Sequence, residues 1–351
     1  TTGTRWCEIN GILCSEISII DDYVKRNAGI VHAGTLQTYV ALSHQLKEFA
    51  QKKQDKITFA NLDKAKLDSL LRHYVNKGYN NSTTSKHFSN LKKLIRLAIA
   101  EIKDLEANQA FREYNPKILS RSNSEPDVII LEQDEFNAIL DFDLTDYTKR
   151  VPYTKTIKGV ENNLTVSYKT LDKVRNLFIF SCVTGFRFSD IADLKREHIQ
   201  GDWIEKKQVK GGKVFKIEIP LNAISSYILS LYEGQLKPLP EISNQKANDY
   251  IKVLGRLAGI NKKVEIGTKT GANTNSRIYP KYELMSMHMG RRIFTSLTLA
   301  KGGAMQDVMS LTGHKKMASF RRYVSIGKAQ KQKAMNVWGE IEPKESQMKA
   351  V

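Results

Sequence analysis

The chain has 351 residues, with 55 Lys and Arg against 37 Asp and Glu, and a formal net charge of +18. That balance suits a polyanionic partner, either nucleic acid or an anionic membrane surface, and an apolar share of 41% supplies cores for two domains or three small ones. No apolar run reaches the roughly 18 residues of a bilayer-spanning helix, no secretory leader pattern is visible, and Cys7, Cys14 and Cys182 are too few and scattered for a disulfide framework, which fits a reducing cytoplasmic setting.

Residues 1–30 show no strong period and read as an N-terminal tail. Over 34–53, Leu36, Tyr39, Leu42, Leu46 and Phe49 recur at helical spacing, with Thr35 as the expected N-cap. A second helix is expected over 62–77, where Leu67, Leu70, Leu71 and Tyr74 form the stripe and Gly78 the stop. The third, 82–102, would bury Phe88, Leu91, Leu94, Ile95 and Ala98, and a short fourth would cover 105–113. Residues 31–113 thus read as a helical bundle. The stretch YNPKILSRSNSEPDV, 114–128, is rich in Pro, Ser and Asn and reads as an interdomain linker.

Beyond it, helices are expected at 132–140 and 170–182. Two strands, 203–210 and 213–219, flank Gly211-Gly212, a two-residue hairpin turn. Helices follow at 223–233 and 245–258, then an irregular stretch, 262–282, with room for a second hairpin. Helices at 288–301, 304–311 and 327–338 complete the reading, with no internal repeat or low-complexity tract.

The chemistry concentrates in this second half. Tyr323 is preceded by His314 in LTGHKK, by Arg291 and His288 in MHMGRR, and by Arg187 in TGFRFSD. Attack on a phosphodiester builds negative charge on the nonbridging oxygens, and arginine forks donate paired bonds to them. Each such donor is worth about 3 kcal/mol of barrier. A tyrosine, with an ordinary pKa of about 10, is a poor nucleophile unless nearby cations favour its phenolate. Histidines move protons or bond the phosphate, and a lysine at a hairpin tip could protonate the leaving oxygen. Each residue alone has a plainer reading. Arg187 could cap a helix C-terminus, His288 and Arg291 could lie on a solvated face, and Lys210 and Lys213 could guard an edge strand. His288, His314 and Cys182 contain no pair at metal-ligand spacing, which argues against zinc.

In this order the motifs resemble those of the tyrosine recombinase (lambda or phage integrase) family, with the texture of integrases from bacterial conjugative and mobilisable transposons. TGFRFSDIADL resembles the box that carries the first catalytic arginine, Arg187, and a supporting acid, Asp190. MHMGRRIFTSL resembles the box of His288 and the second arginine, Arg291, with Gly290 and Arg292 where the family has leucine and histidine. LTGHKK supplies His314, and Tyr323 follows at the family's spacing for the nucleophile. VKGGKVFKIEIPL resembles the hairpin of the catalytic lysine, Lys210, with Lys213 as its alternate.

The resemblance implies a mainly α fold with small β-hairpins. It implies a helical core-binding domain (31–113), a linker (114–128), a mixed α/β catalytic domain (129–326), and a C-terminal helix and tail (327–351) exchanged between protomers. It implies a metal-independent enzyme, without cofactor, that cuts and rejoins DNA through a 3′-phosphotyrosine. The partners would be double-stranded DNA, further copies in a tetramer on two duplexes, and accessory DNA-bending or directionality proteins, with no membrane, in the bacterial cytoplasm and nucleoid. Thr83, Thr84, Lys86, His87, Asn90 and Lys93, flanking the apolar stripe of the third helix, are the expected groove readers. About thirty residues precede the first expected helix, too few for the extra N-terminal domain of many transposon integrases. The rival readings are a type IB topoisomerase and a non-catalytic DNA-binding regulator.

Overall fold

The structure, a computed structural model, describes residues 18–54, 57–58, 61–101, 110–116, 128–157, 159–210, 213–323 and 335. The chain forms two compact units, one of Thr1–Ser124 with Gly267–Arg277, the other of Glu125–Ile266 with Ile278–Val351.

The first unit contains α1 (Ser18–Arg26), α2 (Ala33–Lys53), α3 (Lys64–Asn76), α4 (Asn81–Glu101) and α5 (Ala110–Glu113). Its core is built from the periodic stripes: Tyr39, Leu42 and Leu46 of α2, Leu67, Leu70 and Tyr74 of α3, and Leu91, Leu94 and Ile95 of α4. Two details differ from expectation. The segment read as a tail contains α1, whose Ile20 and Tyr23, three residues apart on one face, enter this core. And α2 begins before Thr35: His32 is the N-cap, its ring accepting from the Gly34 N–H at 3.2 Å. At the start of α4, Asn81 exchanges two hydrogen bonds with the backbone of Gly271, at 2.9 and 2.8 Å.

The second unit opens with α6 (Gln133–Leu140) and a hairpin of β1 (Arg150–Ile157) and β2 (Val160–Ser167). That hairpin was not expected from the sequence. Only Val151 and Val166 of its strands are buried, so no apolar alternation marks it. Its signal is the Gly159 turn, at φ +82°. Next come α7 (Tyr168–Thr184), α8 (Phe188–Ala192), a 3₁₀ turn (Arg196–His198) and an antiparallel sheet in the order β3 (Ile199–Gln200), β4 (Trp203–Lys210), β5 (Lys213–Pro220). Then follow α9 (Ala223–Ser230), α10 (Asn244–Leu257), the β6 (Lys263–Thr270) and β7 (Asn273–Pro280) pair, whose Gly267–Arg277 portion belongs to the first unit, and a 3₁₀ turn (Lys281–Leu284). The unit closes with α11 (Met287–Ala300), α12 (Met305–Leu311), α13 (Met317–Phe320) and a final 3₁₀ turn (Arg321–Tyr323). The expected helix at 327–338 lies outside the described residues, apart from Met335.

Helix α7 is the axis of this unit. It buries Leu171, Val174, Leu177, Phe178, Ile179 and Phe180, and packs against α9, α10 and α11, which accounts for its nearly continuous apolar run. The α7–α11 crossing is close because Gly290 has no side chain: a Cβ there would stand 2.6 Å from Ser181 Oγ and 2.8 Å from its Cβ. Gly185 ends α7 in the left-handed region, at φ +73°, against the ring of Phe294. This packing fixes α11 relative to the α7–α8 turn.

Candidate active site

Six of the sequence-selected residues, Arg187, Asp190, His288, Arg291, His314 and Tyr323, meet around the N-terminal half of α11. Arg187 is the N-cap of α8, and Asp190 stands three residues on. The Asp190 carboxylate accepts from the Arg187 backbone N–H at 3.3 Å and lies 3.7 Å from its guanidinium. Lys206 of β4, only 5% exposed, donates to the Asp190 carbonyl at 3.1 Å and pairs with Asp193 at 2.8 Å. The sheet is thereby tied to the turn that presents Arg187.

One turn of α11 separates His288 from Arg291. Arg291 is buried, 2% exposed, and donates to the carbonyls of Gly185 (2.9 Å) and Thr312. Its Nε has no partner among the described residues. A buried guanidinium held by neutral carbonyls is an uncompensated cation, which is costly unless an anion is at hand. Burial, with Arg187 next, lowers its pKa to about 10.

His314 follows the tight turn at Gly313 (φ +63°). Its Nδ1 is 2.8 Å from Thr312 Oγ1 and 3.5 Å from the Arg291 guanidinium. The Thr312 hydroxyl donates its only proton to Val308 O at 2.6 Å. Oγ1 therefore accepts from His314 Nδ1–H, and the longer Arg291 approach sets two donors face to face and is not a bond.

Tyr323 completes the group. Its hydroxyl is 3.1 Å from His288 Nε2, its ring centroid is 4.6 Å from that of His314, and the Arg291 guanidinium carbon lies 5.7 Å from the ring centre. Ser296, two turns along α11 from His288, donates to the Tyr323 carbonyl at 3.1 Å. Burial, then Arg292, Arg291 and Arg187 in turn, lower the His288 pKa to about 4, so its imidazole is neutral at pH 7.

Other expected residues stand elsewhere. Lys210 and Lys213 face each other as the last register pair of the β4–β5 hairpin, and their side chains lie outside the described residues. On α4, Thr84 is buried (1% exposed), and His87 stacks on Tyr74 and Tyr79 at 5.3 and 5.9 Å. Thr84 therefore faces the core, a correction to its reading as a groove contact, whereas His87 is half-buried: the apolar stripe of α4 is wider than its aliphatic residues suggest. Thr83, Lys86, Asn90 and Lys93 keep at least partial exposure. Sequence reasoning missed Thr312, Lys206 and the Gly185 carbonyl. Thr312 adjoins the Gly-His pair, the one available hint; a backbone carbonyl leaves none.

Residues 17–113 match the family model of the phage integrase SAM-like domain. No curated relative matches the sequence. Among solved structures, the chain is similar to the Tn1549 transposon integrase in complex with a circular intermediate DNA, at 12% identity and a TM-score of 0.61, covering 92% of this chain and 99% of that one. It is similar to the XerH site-specific recombinase bound to a palindromic difH substrate (16% identity, TM-score 0.60, 93% and 86% covered). It is also similar to a lambda integrase tetramer bound to a Holliday junction (16% identity, TM-score 0.59, 87% and 76% covered). The chain has the tyrosine recombinase fold. Within that fold, Gly290 and Arg292, the two departures noted in the α11 motif, act locally: Gly290 permits the α7 contact, and Arg292 helps hold His288 neutral. Among the described residues no helix is long and apolar enough to cross a membrane.

Proposed function

We propose that the protein is a site-specific DNA recombinase that cuts and rejoins strands through Tyr323, for integration and excision of a mobile element. The carrying observation is the Tyr323 hydroxyl at 3.1 Å from His288 Nε2, with the buried Arg291 cation beneath its ring, all within one chain. DNA-bound integrases and a recombinase of the same fold, among them a tetramer on a Holliday junction, support the substrate and the assembly on two duplexes.

In the forward step Tyr323 Oη bonds to phosphorus and the bond to the 5′ oxygen breaks, leaving a 3′-phosphotyrosine and a free 5′-hydroxyl. The phenol proton passes to neutral His288 Nε2, and the hairpin lysine, Lys210 or its neighbour Lys213, protonates the departing oxygen. Arg187 and Arg291 hold the nonbridging oxygens, each worth about 3 kcal/mol, and His314, oriented by Thr312, faces the same phosphate. The incoming anion offsets the three arginines around His288 and raises its proton affinity when it must accept one. Attack by a second 5′-hydroxyl reverses the step, so the linkage energy is conserved without a nucleotide. Asp190 keeps Arg187 in register. Thr83, Lys86, Asn90 and Lys93 contact the duplex from α4, and the enzyme works on nucleoid DNA in the bacterial cytoplasm.

The test is a nicked duplex that traps the covalent intermediate. Wild type should give an adduct mapped to Tyr323, and Y323F none while keeping DNA affinity; an adduct in Y323F sinks the assignment. A two-site recombination assay beside plasmid relaxation separates strand exchange from topoisomerase activity.

A further inference from the structure

Arg187 and His288 line a cleft of about 640 Å³ whose wall includes one face of α10: Asn244, Asn248 and Lys252. These are spaced by four residues, so they line up along the helix, about 6 Å per step. Asn248 is committed to structure. Its Oδ1 accepts from the Met287 N–H at 2.8 Å, capping the helix that carries His288, and its Nδ2 donates to Asn244. The charged groups beside Lys252 on α10 are also engaged: Asp249 with Lys155, and Arg256 with the Pro152 carbonyl at 2.8 Å. Lys252 is half-buried and has no hydrogen-bond or ion-pair partner among the described residues. It also lines a second cleft of about 590 Å³, so it stands on the ridge where the two meet, with Glu283 as the acid common to both.

Lys252 thus presents an unpaired ammonium in the cleft that Arg187 and His288 line, and a cation so placed favours an anionic group of the ligand. From this placement we infer that Lys252 forms a second phosphodiester subsite, binding a backbone phosphate within two nucleotides of the cleaved one. The inference rests on the strand-cleavage reading. Lys252 lines the cleft that Arg187 and His288 line, one helical step of about 6 Å past the Asn248 cap, so the phosphate it meets lies close to the cleaved one. A fixed second phosphate would set the register of the scissile one between Arg187 and Arg291.

The test is a scan of nicked duplexes carrying one neutral methylphosphonate at each of the phosphates flanking the cleaved one. For wild type, one substitution within two nucleotides should slow adduct formation about tenfold. K252A should be slowed about as much on unmodified DNA and lose nothing more at that position, while its losses elsewhere match wild type. K252R should recover most of the rate. Penalties that multiply at every position, or K252A at the wild-type rate, overturn the subsite. Binding to uncleaved duplex gives an independent reading, in which the slope of log affinity against log salt should flatten by about one in K252A; an unchanged slope also overturns it. Wild type forming no adduct at all would refute the cleavage reading, and the binding slope would still judge Lys252.

Discussion

His288 is a neutral imidazole among cations. Its burial lowers the pKa first, and Arg292 contributes most among the charges, ahead of Arg291 and Arg187. A ring titration by NMR in the DNA-free protein should therefore show a midpoint near 4, well below the ordinary 6.5. In R292Q the midpoint should rise, because one repelling cation is gone while the burial remains. A wild-type midpoint at or above 6.5 would mean the ring is solvated and cannot be the preset proton acceptor. Arg291 shows why an arginine rather than a lysine belongs here. Its fork reaches the Gly185 and Thr312 carbonyls at once, so R291K should lose that bracing as well as the fork geometry that suits a phosphate.

At the level of elements, the site depends on how closely α11 lies on α7. A Cβ at residue 290 would overlap Ser181, and an overpacked helix crossing costs roughly 1–3 kcal/mol. G290A should lower the melting temperature and also slow adduct formation, because Arg291 is displaced from Gly185. Adding S181G should return part of the activity despite the extra helical glycine; strict additivity of the two changes in activity would show that the crossing does not position the site. The helical unit carries a different liability. Burial lowers the pKa of both His73 and His87, and Lys86 adds to it at His87. A histidine whose folded pKa is depressed resists protonation that the unfolded chain accepts, so stability is lost as the pH falls below 6.5 toward the folded value. The urea midpoint of the full chain, followed by circular dichroism, should fall between pH 7 and pH 5. The fall should be smaller in H87F, which keeps an aromatic ring against Tyr74 and Tyr79 without a titrating group. An identical pH dependence in H87F would remove His87 from this account.

For the whole molecule, the net charge of +18 sets the long-range behaviour. Binding to duplex DNA should weaken steeply with salt, as each phosphate contact releases condensed counterions, and titrations at several salt concentrations would measure the number of contacts. A flat dependence would indicate that the basic residues serve solubility instead. The same scale shows what could be read in advance. Helices α2, α3 and α4 of the first unit followed from apolar spacing because each lays one stripe on a single core, and the β4–β5 hairpin followed from two strands around a Gly pair. The β1–β2 hairpin escaped because its strands bury one valine each, so backbone pairing rather than side-chain burial defines it.

That Arg187, His288, Arg291, His314 and Tyr323 form one cluster was legible in the order and spacing of their motifs, and the structure brings them together. The sequence by itself also determined the basic charge and the helical stripes, which are local properties of side chains. What needed the tertiary structure was every relation between distant segments: the Tyr323 hydroxyl at His288, the Thr312 hydroxyl that sets the His314 tautomer, the carbonyls around Arg291, and the inward turn of Thr84. Those depend on desolvation and on which backbone groups come within a few ångströms once helices pack, and no local pattern encodes that.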